Sequence, residues 1–157
     1  MPYQAAVTFQ AFGRNEYLRS TVGLIFESFN CARLSVPADA DGNRVLQSGT
    51  VMARITSGGD IGKVGPFWPD PDGAGVIVGA ADGRQTAANI VGVCDSFLPY
   101  QLNDGDREIA VLKNGRVVAS ALYEYVSTQV SPGTRGLAAS SLLALTTRGQ
   151  DLDITAL

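Results

Sequence analysis

What most limits the fold of this chain is the way its apolar residues come in short runs, each cut off by glycine, proline or aspartate. Runs of about four to eight residues bounded by turn formers suit β-strands and are too short for core helices. Residues 22–29 carry Leu24, Ile25, Phe26 and Phe29, and residues 32–36 alternate until Pro37 stops them. Asp41-Gly42 marks a turn, residues 50–56 read as a strand, and residues 57–75 form a Gly/Pro/Asp-rich loop. Residues 75–80 and 89–95 are two further strands, joined through the turn segment 82–88. The sharpest local signal is Lys113-Asn114-Gly115 between the apolar runs 107–112 and 116–122. Asn-Gly between two β-prone runs predicts a hairpin with a type I′ turn.

One stretch departs from the pattern. Ser131 and Thr134 offer helix N-caps, and Leu137, Ala138, Ser141, Leu142 and Leu145 fall on spacings of three and four. Arg148 in the last turn and Gly149 just beyond it are a helix ending, and Leu152 and Ile154 then alternate with aspartates as a final strand. No internal repeat interrupts this order. The expectation is one mainly β domain, a small barrel or sandwich with one short helix near the C-terminus. At 157 residues and 45% hydrophobic it can bury a sizeable core. Its 18 glycines and a charged fraction of 17%, below the usual quarter or so, point to many turns and to broad contact with other surfaces.

The composition removes several chemistries. There is no histidine, hence no Ser-His-Asp or Cys-His pairing and no imidazole metal ligand. Cys31 and Cys94 lack metal-ligand spacing, and two buried thiols suit them better than a disulfide. Gly58-Gly59-Asp60-Ile61-Gly62-Lys63 lacks the spacing of a phosphate loop, and the dispersed Asp-Gly pairs read as turns rather than calcium ligands. Neither Asp104 with Asp106 nor Asp151 with Asp153 reads as a catalytic carboxylate pair, and Ser140-Ser141 has no lysine at the Ser-x-x-Lys spacing. No cofactor is expected. A net charge of −3 without any Lys/Arg cluster argues against nucleic acid as a partner. No signal peptide or membrane-spanning run is read, so synthesis in a cytoplasm is expected and a membrane partner is not.

The aromatic residues divide three ways. Phe26, Phe29 and Phe97 read as core. Tyr3, Phe9, Phe12 and Tyr17 lie in a weakly patterned segment, residues 1–21, which is either a solvated tail or an arm that orders against a partner. Phe67 and Trp68, set among Pro66, Pro69 and Pro71, either fold back over one end of the barrel or meet another subunit.

The order of segments carries a resemblance. Leu46-Gln47-Ser48-Gly49-Thr50-Val51-Met52-Ala53-Arg54-Ile55 comes first, and Asp82-Gly83-Arg84-Gln85-Thr86-Ala87 follows. Ile109-Ala110-Val111-Leu112, the hairpin turn and Val117-Val118-Ala119-Ser120-Ala121-Leu122 come next, and the helix follows, closed by Thr147-Arg148-Gly149-Gln150-Asp151-Leu152-Asp153-Ile154. Taken together over about residues 44–155, these segments resemble the lambda-type head decoration (capsid cement) proteins of tailed bacteriophages. The chain departs from that pattern in a longer stretch through Asn43 and in the Trp68 loop, which looks like an insertion.

The resemblance implies a non-enzymatic structural virion protein with a β-tulip-type domain at residues 22–157 and an extended N-terminal arm at residues 1–21. It implies a homotrimer on the outside of the expanded capsid at local three-fold positions, with the major capsid protein as partner. Tyr3, Phe9, Phe12 and Tyr17 are then capsid-contact candidates, and Phe67 and Trp68 subunit-interface candidates. Two other readings stand beside it. One is another virion part, such as a tail, connector or fibre-base protein. The other is a β module for a carbohydrate or small ligand, with Trp68 and Tyr100 as stacking residues.

Overall fold

The computed structural model describes residues 17–20, 22–69, 82–125, 131–137, 139–147 and 153–156. Five strands close into a barrel: β1 (Ile25–Cys31), β2 (Val51–Arg54), β3 (Val64–Pro66), β4 (Ile90–Cys94) and β5 (Arg107–Val117). Around the ring the order is β1-β3-β2-β4-β5, with β5 returning to β1. A two-stranded ladder, β6 (Tyr123–Glu124) with β7 (Thr134–Arg135), lies outside the ring. The helix α1 (Ala139–Thr147) and the last strand β8 (Asp153–Ala156) follow, and β8 pairs in parallel with the end of β5.

The mainly β domain with one short helix near the C-terminus is therefore what folds. Strands read at 50–56 and 89–95 are present as β2 and β4. The burial of β4 and of β2 up to Ala53 follows from the layering. Phe29 and Cys31 of β1, Met52 of β2, Val64 of β3, Val91 of β4 and Val111 of β5 form one apolar cluster inside the ring. Val51, Ala53, Val93 and Leu112 point the other way, into a second cluster with Tyr17, Leu145 of α1 and Ile154 of β8. With both faces covered, β2 and β4 read as continuous apolar runs rather than alternating ones.

A bulge tightens the β2–β4 pairing. Met52 opposes Gly92 while Ala53 opposes Ile90, so Val91 is the extra residue. Gly92 takes a φ of +143° there, and a Cβ on it would sit 2.1 Å from the Leu112 carbonyl oxygen. Only glycine lets β4 approach β5 so closely.

Three sequence expectations are corrected. Asn114-Gly115 is not a turn: β5 runs straight through it as an 11-residue strand. Asn114 is held on one side by Ile25 and on the other by Asp153, and Gly115 pairs with Ile154. Gly115 lacks the left-handed φ of a type I′ turn, and a Cβ there would meet Leu24 and Leu112 side chains at 2.8 and 3.2 Å. Its missing side chain serves packing, and long-range pairing outweighs the local turn preference. Residues 32–36 are not a strand either: Arg33–Ser35 is a 3-10 turn, held where Ser35 Oγ donates to the Ala32 carbonyl and the Arg33 N–H donates to Asp106. Phe26, read as core, is 41% exposed, because the first half of β1 stands clear of both clusters.

Residues 17–20, expected to end an N-terminal arm, lie in the folded domain. Tyr17 is 1% exposed, its carbonyl accepts from the Val118 N–H, and Leu18 bridges to Val117. Residues 17–20 thus continue the β1 side of β5 and belong to the barrel, not to an arm ending at residue 21. The strand read at 75–80 and the helix end at Arg148 and Gly149 lie outside the described residues.

Candidate functional site

Of the capsid-contact candidates, Tyr3, Phe9 and Phe12 lie outside the described residues. Tyr17 is a core residue, and its hydroxyl donates to the Asp95 carboxylate at 2.7 Å. It has no face to offer a shell. Phe67 and Trp68 are 3% and 2% exposed. The Trp68 ring packs 5.2 Å from Tyr125, and the Arg84 guanidinium lies 5.9 Å from its centroid. Both residues fold back into the chain, the first of the two arrangements expected for them. Proline on either side stiffens the loop and turns its aromatic pair inward. Tyr100 remains 60% exposed, but buried Trp68 supplies no ligand platform beside it.

Arg84 was legible only as part of a turn. It is 4% exposed, its Nε donates to Asp82, and its Nη1 donates to the Ser35 carbonyl at 2.8 Å. The pair ties the turn after β3 to the 3-10 turn after β1. A buried arginine with its charge met by a carboxylate and a backbone carbonyl is a structural clamp.

A second ionic knot sits beside the Gly58–Lys63 loop. Lys63 Nζ donates to Asp60 and Asp106 at 2.6 Å each. Asp106 raises the lysine to about 12, with Asp60 adding to it. The Arg33 N–H, then Lys63, hold the Asp106 carboxyl below its ordinary range. One ammonium thus bridges two carboxylates and ties the loop to the segment before β5. Cys31 and Cys94 are both free and buried, as the two-thiol reading expects. Burial pushes the Cys31 thiol up to about 12, which keeps it protonated and unreactive at neutral pH.

The accessible chemistry lies on β1. Ile25, Phe26, Glu27, Ser28 and Asn30 are exposed, with Val22 before them 81% exposed. An open cleft of about 430 Å³ runs beside the strand, lined by Ser28, Phe29, Asn30 and Glu108. On the far side of β1 from β5, the only paired residue among the described residues is Cys31, opposite Val64. The polar residues interrupting Ile25-Phe26-Glu27-Ser28-Phe29-Asn30 were a sequence sign that this strand is not fully covered. No protein-family model matches the chain, and no curated protein matches it.

Proposed function

We propose that the chain is a non-enzymatic capsid decoration protein, which binds the outside of an expanded bacteriophage shell as a trimer and stabilises it against internal pressure. The observation that carries this reading is the ordered series of segments from Leu46 to Ile154. A small closed barrel with an exposed strand in its wall is compatible with a protein that works by contact. Binding only the expanded shell stabilises that state by mass action. Few charged residues lower the desolvation cost at each contact, and modest interfaces multiply over many copies.

The arm of this reading is residues 1–16, because Tyr17 to Ser20 belong to the barrel. The test is co-sedimentation of purified protein with expanded and unexpanded shells assembled without it, beside a variant lacking residues 1–16. Saturable binding to expanded shells alone, weakened by the truncation, is the expected result. Binding to neither shell would overturn the reading. Copy number separates it from a tail, connector or fibre-base role, since a decoration protein is present in hundreds of copies per virion.

A further inference from the structure

We propose that the open edge of β1 is a strand-acceptor site, where an extended segment of the shell subunit pairs with Phe26, Ser28 and Asn30 and sets a basic side chain against Glu108. This rests on the shell-binding reading above and assigns it a surface.

The direction of the backbone groups follows from β5. The Ala110 N–H donates to Ser96 Oγ and its carbonyl accepts from the Asp95 N–H, so both face away from β1. Ser28 lies opposite Ala110. In an antiparallel pair whose one member turns its groups away, the other does so too. Ser28 therefore directs its N–H and carbonyl to the outer edge. By the two-residue period of a strand, Phe26 and Asn30 do the same. The next residue in that series, Ala32, confirms the direction, since its N–H donates to the Val64 carbonyl of β3 at 2.9 Å. Among the described residues the outward groups at positions 26, 28 and 30 meet no strand.

An unpaired edge of this length invites strand addition unless charge or proline blocks it. Here apolar residues, Ile25 and Phe26, stand exposed at its head. The cleft along it holds Glu108, an exposed carboxylate outside the ion pairs of the described residues. An incoming strand thus finds backbone partners, an apolar contact and a site for one positive charge. That combination defines the occupant as an extended segment with an apolar residue and a lysine or arginine.

The experiment titrates full-length protein onto expanded shells assembled without it, using wild type, Ser28→Pro and Glu108→Lys. Proline at position 28 removes an outward N–H and leaves the hydrogen bonds to β5 intact, as proline does on edge strands. Glu108→Lys changes only an exposed side chain. Each variant is expected to bind about tenfold more weakly, the effect of losing one hydrogen bond or charge contact. The Glu108→Lys loss is expected to shrink with added salt. Amide exchange at Phe26, Ser28 and Asn30, fast in free protein, is expected to slow on the shell. Wild type that fails to bind overturns the cement reading and the edge site together. Wild type that binds, with both variants equal to it and no slowing at these amides, overturns the edge site alone. Should Ser28→Pro melt early, Glu108→Lys and the amides decide.

Discussion

Tyr17 belongs to the folded domain. Its ring is buried against the outside of the barrel wall, and its hydroxyl is bound to Asp95. Truncating a packed aromatic ring to alanine costs about 3–5 kcal/mol. For a domain of this size each kcal/mol lowers Tm by about 2–4 °C, so Tyr17→Ala is expected to lower it by about 6–20 °C. Tyr17→Phe keeps the ring and loses a hydrogen bond to a half-buried carboxylate, about 1.5 kcal/mol or about 3–6 °C. Thermal melting followed by circular dichroism measures both, with a pair of truncations starting at residues 17 and 21. The shorter of these is expected to melt well below the longer. If Tyr17→Ala melts within about 3 °C of wild type, the side chain is not part of the core and the arm does extend to residue 21. The order of the variants matters as well, because an alanine milder than phenylalanine contradicts a buried ring.

Two further outcomes test the barrel. Gly92→Ala places a Cβ 2.1 Å from the Leu112 carbonyl at a φ of +143°, and overpacking together with backbone strain is expected to cost about 3 kcal/mol or more, read as a lower urea midpoint. Asp106 has its carboxyl lowered in the folded state, so its stabilising effect is present above its ordinary value of 3.8 and is lost as pH falls through the folded value. The stability gap between wild type and Asp106→Asn is therefore expected at about pH 7 and should shrink as pH falls below 3.8, as measured by urea titration at each pH.

The sequence disclosed what depends on local pattern. β2, β4, α1 and β8 were readable because their apolar spacing lies within a few residues, although the N-cap candidates Ser131 and Thr134 fall before the helix, in a turn and in β7. What it hid depends on partners far along the chain. Asn114-Gly115 has the chemistry of a turn, and only Ile25, Asp153 and Ile154 hold it extended. Ala32 to Val36 alternates like a strand, but Asp106 catches the Arg33 N–H and bends it. Phe67 and Trp68 look like an exposed anchor until Tyr125 and Arg84 are seen beside Trp68. The outward edge of β1 is invisible in sequence, since it depends on which groups of Ala110 are already bound to Asp95 and Ser96.

The pairing of β1 with β5 also sets a clock on synthesis. Cys31 meets Arg107 and Ile25 meets Asn114, so the first strand waits for a partner made about 80 residues later. A ribosome adding about 5–20 residues per second leaves it unpaired for roughly 4–16 s. Through that interval the β5 edge of β1 is uncovered, and its apolar head can meet the same segment on a neighbouring nascent chain. Ring closure is a late, long-range event in this topology, and such events make folding slow. Glu27 and Asn30, which break the run of apolar residues in β1, keep that waiting strand soluble until β5 arrives.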